Sequence, residues 1–171
     1  MSFLDSFSFD RLLWLVPIFF MLHNLEEAPF MESWSKRLPL KIHPVVTTRQ
    51  FVIAVTILTL AGFLITYFGV EYLANSTGYL IVLGIQAILL FNAFIPHIAA
   101  TVRFRMYSPG VISATLITLP FSFYLFRRAL DDDNLLSWNQ FWGLLGLAPF
   151  ATVAFAFISL QIGNAFTKKS A

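Results

Sequence analysis

The sequence predicts an all-α fold: a polytopic membrane helical bundle with about five transmembrane helices, amino terminus outside and carboxyl terminus cytoplasmic. Three observations lead there. Of 171 residues, 58% are hydrophobic and 12% are charged, against about 45–50% and roughly 25% in a soluble domain. The apolar residues, 20 Phe among them, gather in runs near the roughly 20 residues that a bilayer crossing requires. The basic residues fall in the short segments between those runs, most of them on one side. A mean hydropathy of +0.76 agrees.

The spans follow in order. The first runs over about 11–30. Asp5 and Asp10 precede it, and Glu26-Glu27 stand where a cleaved leader would place small residues, so it reads as a retained span. The second covers about 51–70, the third 78–101, the fourth 109–126 and the fifth 141–166, all within one integral membrane domain over 1–171. The longest connection, Met31 to Gln50, is polar and basic and holds Pro39 and Pro44. Ser108 before Pro109 reads as a capping hydroxyl opening the fourth helix, and Ser137 as the cap of the fifth. Only a few residues join the third and fourth spans, which makes them antiparallel neighbours.

Basic residues set the orientation. One side carries Arg11, Arg127 and Arg128; the other carries Lys36, Arg37, Lys41, Arg49, Arg103, Arg105, Lys168 and Lys169. The second side is expected to be cytoplasmic, in a multi-pass protein of the cell membrane. A net charge of +2 arranged this way argues against nucleic acid as a partner. With no cysteine in the chain, thiolate chemistry and cysteine ligands are excluded.

Polar residues inside spans are the unusual feature. An ionisable group there costs about 2.5–3.5 kcal/mol on insertion scales, and it persists where it faces the interior and has a task. His23, Glu26 and Glu27 lie beyond the middle of the first span, and Asn92 and His97 reach similar depth in the third. His23 stands three and four residues before the two glutamates, so either can share its face. Two imidazoles with one or two carboxylates suit a divalent ion, zinc in preference to iron. The metal ligands would be His23, Glu26, Glu27 and His97, with one glutamate free to act as general base. Glu26, Asn92 and Tyr107 are the candidate catalytic residues. Arg103 and Arg105 are candidates for a substrate headgroup. Pro96, lacking an N–H, should kink the third helix and aim Asn92 and His97 inward.

Plainer readings accompany these. The histidines read second as structural hydrogen-bonding groups, Asn92 equally as interhelical glue, Tyr107 by default as an interfacial anchor and the two arginines first as orientation determinants. His43 reads as a loop residue, Asp131 to Asp133 as a solvated loop, and Asn75-Ser76-Thr77 as a weak glycosylation pattern.

Taken together, His23-Asn24-Leu25-Glu26-Glu27, then Asn92 with His97, then Tyr107-Ser108-Pro109-Gly110 resemble the motifs of the HXXEE family. These are small, mostly bacterial, multi-spanning membrane proteins named for the first motif. The resemblance covers nearly the whole chain, with the motifs in the first, third and fourth spans in family order. It implies a site and not a substrate, and places the protein in a bacterial cytoplasmic membrane. The family pattern has Asn four residues before the His and Thr three after the Pro-Gly. Here Asn92 stands five before His97, and Ser113 takes the Thr position.

The expected function is an intramembrane metal-dependent enzyme, hydrolase-like, acting on a lipid or isoprenoid-type substrate. The alternatives are a proton- or metal-coupled carrier using the same cluster, and a membrane scaffold or accessory subunit. Beyond the lipid bilayer, a homodimer is a compatible partner arrangement.

Overall fold

The computed structural model describes residues 3–38, 44–73, 76–131 and 135–167. His43, Asn75, Asp132 and Asp133, singled out above, lie outside them. Every regular element among the described residues is helical.

Helix α1 (Phe9–Leu13) leads into α2 (Leu15–Glu27) across a break at Trp14. The short α3 (Met31–Ser35) follows. Helix α4 (Thr48–Tyr67) opens on a capping box, in which Thr47 Oγ1 accepts from the Gln50 N–H and Gln50 Oε1 from the Thr47 N–H. It continues as a π-helical turn, Phe68–Tyr72. Helix α5 (Ser76–Asn92) passes into a second π-helical stretch, Ala93–Ala99, and then α6 (Ala100–Phe104), which ends at Arg105 in the left-handed region, φ 51°. Helix α7 (Val111–Ser113), a third π-helical stretch (Ala114–Thr118) and α8 (Leu119–Leu130) follow without a gap. Helix α9 (Trp138–Thr167) starts at the predicted cap: Ser137 Oγ accepts from the Gln140 N–H, and Gln140 Oε1 from the Ser137 N–H.

The predicted Ser108 cap is corrected. The fourth helix begins only at Val111, after Gly110 at φ 86°. Ser108 instead donates its hydroxyl to the Pro96 carbonyl. A carboxylate from another helix caps this end in its place.

Three helical stretches are long and apolar enough to cross a membrane: Thr48–Tyr72, Thr77–Phe104 and Trp138–Thr167. The first and fourth predicted spans are not among them. Helix α2 has 13 residues and spends its last turn on Asn24, Glu26 and Glu27. Helix α8 ends on Arg127 and Arg128.

Helix α9 packs along both α4 and α5. Leu12, Leu13, Val16, Val82, Leu83 and Leu125 fill the core where α1, α2, α5 and α8 meet. At the other end Met31, Trp34 and Leu38 form a smaller cluster. Gly69 and Gly78 let two backbones touch; a Cβ on Gly69 would stand 2.9 Å from the Gly78 carbonyl oxygen. Small residues at helix crossings supply the close packing that membrane helices depend on. Helix α9 buries only Ala148 and Gly163, leaving Leu147, Phe150, Val153 and Phe157 exposed.

Candidate metal centre

Helical spacing builds the first part of the site. Four residues apart, His23 and Glu27 share the inner face of α2, and both are buried. Glu26 lies about 100° around the same helix and turns toward α7. There its Oε1 accepts from the Tyr107 hydroxyl (2.6 Å) and the Ile112 N–H (3.1 Å), and its Oε2 from the Ser113 N–H (2.7 Å). A carboxylate at the amide end of a helix satisfies donors that have no partner within that helix. Glu26 is the cap that Ser108 does not provide.

The stretch from α5 through α6 supplies the second part. Five residues along an α-helix are about 140° apart, so Asn92 and His97 would point apart. The π-helical stretch containing Pro96 widens the turn so that residues five apart align. Asn92 Nδ2 consequently lies 2.9 Å from His97 Nε2.

Residues 107–110 hold the site together one by one. Tyr107 binds Glu26, and Ser108 binds the Pro96 carbonyl. The Pro109 carbonyl accepts from His97 Nδ1 at 2.7 Å. Gly110 lies flat against the imidazoles, where a Cβ would stand 2.6 Å from His23 Cε1 and 3.0 Å from His97 Cε1. Tyr107 lies in this connection, and burial, then the Glu26 carboxylate beside it, push its phenol up to about 12.

One of these contacts fixes a tautomer. A carbonyl only accepts, so His97 Nδ1 carries the proton and its Nε2 a lone pair. Ser113 Oγ lies 3.2 Å from the Gly110 carbonyl and 2.9 Å from His23 Nδ1. Donating to the carbonyl it accepts from Nδ1 and leaves His23 Nε2 a lone pair; donating to Nδ1 it leaves the proton on Nε2. The two Nε2 atoms stand 3.1 Å apart, and Glu27 brings oxygens to 3.9 Å from His23 Nε2 and 3.6 Å from that of His97.

One atom each from His23, Glu27 and His97 lie within 4.8 Å of one another. Ligands about 2.0–2.2 Å from a tetrahedral ion stand roughly 3.3 Å apart, and the observed separations are close to that. Three buried side chains facing one point, with the Asn92 amide as a donor at its edge, make a group that could hold a metal ion. The set matches two imidazoles and a carboxylate.

The site opens on a cavity of about 510 Å³ between α2, α3, α4, the Pro96 segment and α9. His23, Glu27, Asn92 and His97 line it, as do Asn24 and the apolar Ala54. Asn24 donates to Thr59 Oγ1 (3.1 Å), tying α2 to α4 beside the site.

Of the residues singled out from sequence, the structure brings together His23, Glu27, Asn92 and His97. Glu26 and Tyr107 pair with each other behind them. Arg103 and Arg105 are exposed and do not line the cavity, and Arg103 lies over the Phe104 ring. Sequence reasoning assigned no role to Gly110 or Ser113, and gave Ser108 the wrong one. The signal available was the unbroken run Tyr107-Ser108-Pro109-Gly110 itself.

The chain belongs to the HXXEE family: the family described as proteins of unknown function with an HXXEE motif matches residues 14–125. It is similar to the uncharacterised protein YrkK of Bacillus subtilis (strain 168), 32% identical over 121 residues that cover 70% of this chain and 74% of the relative. No solved structure matches it.

Proposed function

For this member of the HXXEE family, we propose a membrane-embedded, metal-dependent enzyme, hydrolase-like, that acts on a lipid or isoprenoid-type substrate. In this reading the chain crosses five times, and the basic residues orient it with the amino terminus outside and the site in the cytoplasmic leaflet. The observation that carries the reading is the convergence of His23 Nε2, His97 Nε2 and the Glu27 carboxylate beside a cavity.

The ligand set suits zinc first and iron second. A bound ion would supply Lewis acidity toward a carbonyl or similar oxygen. The chain's own residues do the rest. Pro109 and Ser113 hold the two imidazoles with Nε2 facing the site, the outer support that metal-ligating histidines need. Asn92 offers an amide N–H where a substrate oxygen would lie. Glu26 and Tyr107 act as positioning residues, because both are engaged in fastening α7 to α2. Arg103 and Arg105 orient the chain from outside the cavity. Protein stripped by chelator should release no product from a single-chain ester, and zinc should restore the release; turnover that survives chelation overturns the reading.

One observation favours a second reading, a proton- or metal-coupled carrier. Gln86, buried in α5, donates to Ser122 Oγ (2.6 Å), while its Oε1 is buried without a partner. Thr118 and Ser122 are buried on the neighbouring helix. Such groups could line a wet path leading away from the cluster. Proton uptake by sealed proteoliposomes, lost in Gln86→Leu, tests it.

A further inference from the structure

The cavity has a shape and a chemistry of its own. On α9 its wall extends from Thr152 to Asn164, about 18 Å at 1.5 Å per residue. At one end it is aromatic and apolar, with Phe20 packed edge-on against Phe155 (ring centroids 5.9 Å apart) and Phe91 nearby. At the other end two uncharged amides stand among apolar residues such as Trp34 and Phe51: Gln50 Nε2 donates to Asn164 Oδ1 at 3.0 Å, joining α4 to α9. The His23–Glu27–His97 cluster lies between these ends. Among the described residues that line the cavity there is no lysine or arginine, and the carboxylate present is Glu27.

From this we infer that the cavity binds an uncharged, single-chain amphiphile, its tail against Phe20, Phe91 and Phe155 and its hydroxyl- or amide-bearing head at Gln50 and Asn164. A slot of this length and about 510 Å³ is of ordinary ligand size and takes one chain. With Gln50 Oε1 held by Thr47 and Asn164 Oδ1 by Gln50, the two amides offer their remaining N–H donors and no charge, which suits the oxygens of hydroxyl, ester or amide groups. A phosphate head would exchange its water for neutral groups near a buried carboxylate, a costly transfer without a cationic partner. The inference rests on the enzymatic reading only for what happens at the cluster; binding itself is separate from the metal.

The test uses the full chain in nanodiscs, with a monoacylglycerol and a lysophosphatidic acid of the same acyl length as probes. The neutral probe should bind at least ten times more tightly. Ala156→Trp, which fills the slot from α9, should weaken its binding tenfold or more, and Ala54→Leu should act likewise from α4 should the first variant fold poorly. Asn164→Leu should narrow the preference between the probes. Equal or tighter binding of the phosphate compound, or unchanged binding in a well-folded filled variant, overturns the assignment. Metal content is measured on the same samples. Neutral binding without metal removes the enzymatic reading and leaves this one standing; metal without neutral binding does the reverse.

Discussion

His23 Nε2 and His97 Nε2 stand 3.1 Å apart with their rings nearly perpendicular, at 83°, although 74 residues separate them. Each ring is held from behind, His23 by Ser113 and His97 by the Pro109 carbonyl. At that distance the two nitrogens share either a proton, in an N–H···N hydrogen bond, or, with both lone pairs free, a cation.

Gly110→Ala should damage the site out of proportion to its size. The added methyl would stand 2.6 Å from His23 Cε1, on a backbone at φ 86°. A residue with a side chain in that region costs about 1–3 kcal/mol, and the imidazole must also move. Gly146→Ala, whose Cβ meets nothing within 4 Å, is the control. Metal affinity measured by competition with a chromophoric chelator should fall at least tenfold in the first variant and stay unchanged in the second.

Ser113 tests the support of His23. Ser113→Ala removes the hydroxyl bonded to His23 Nδ1, and losses of this kind cost about 10–100-fold in metal affinity. Ser113→Thr keeps the hydroxyl and should bind metal like the wild type. If Ala and Thr behave alike, the hydroxyl does not support His23.

How far the sequence spoke for this site follows from which interactions are local. His23 and Glu27 were legible because four-residue spacing on a helix is local geometry. Asn92 and His97 were legible as residues that a kink at Pro96 aims inward, but their direct contact was not, since a π-helical turn leaves no periodic signal. Glu26 and Glu27 were indistinguishable in sequence. Only the position of α7 decides that one faces the imidazoles while the other caps Ile112 and Ser113. Ser108-Pro109 has the composition of a helix start, yet tertiary contacts move that start to Val111. The three long helices were plain from their apolar length; the first and fourth were weaker for the same reason that they carry or approach the site.

Glu26 and Glu27 should therefore separate cleanly. Glu26→Ala strips the cap from α7, a loss of about 0.5–2 kcal/mol by analogy with other caps, and should weaken metal binding without abolishing it. Glu27→Gln should bind metal far more weakly while thermal stability, followed by near-ultraviolet circular dichroism, falls little. Equal metal loss in both would contradict the division of roles.

Tyr107 adds a pH dependence. Its phenol is pushed up to about 12, first by burial and then by Glu26, from an ordinary value of 10.0. A raised value means that the folded state prefers the protonated phenol. The Tyr107–Glu26 contribution is therefore complete below pH 10 and is lost as pH rises from 10 toward 12. Phenolate absorbance, as the difference between wild type and Tyr107→Phe, should rise only near the upper end of that range. The thermal midpoints of the two proteins should converge over the same interval.

Elemental analysis of the purified protein beside its His23→Ala variant tests the central claim most directly. The account predicts close to one zinc or iron per chain in the wild type and almost none in the variant. A wild type that holds no transition metal even after incubation with zinc, or a variant that holds as much as the wild type, would contradict it.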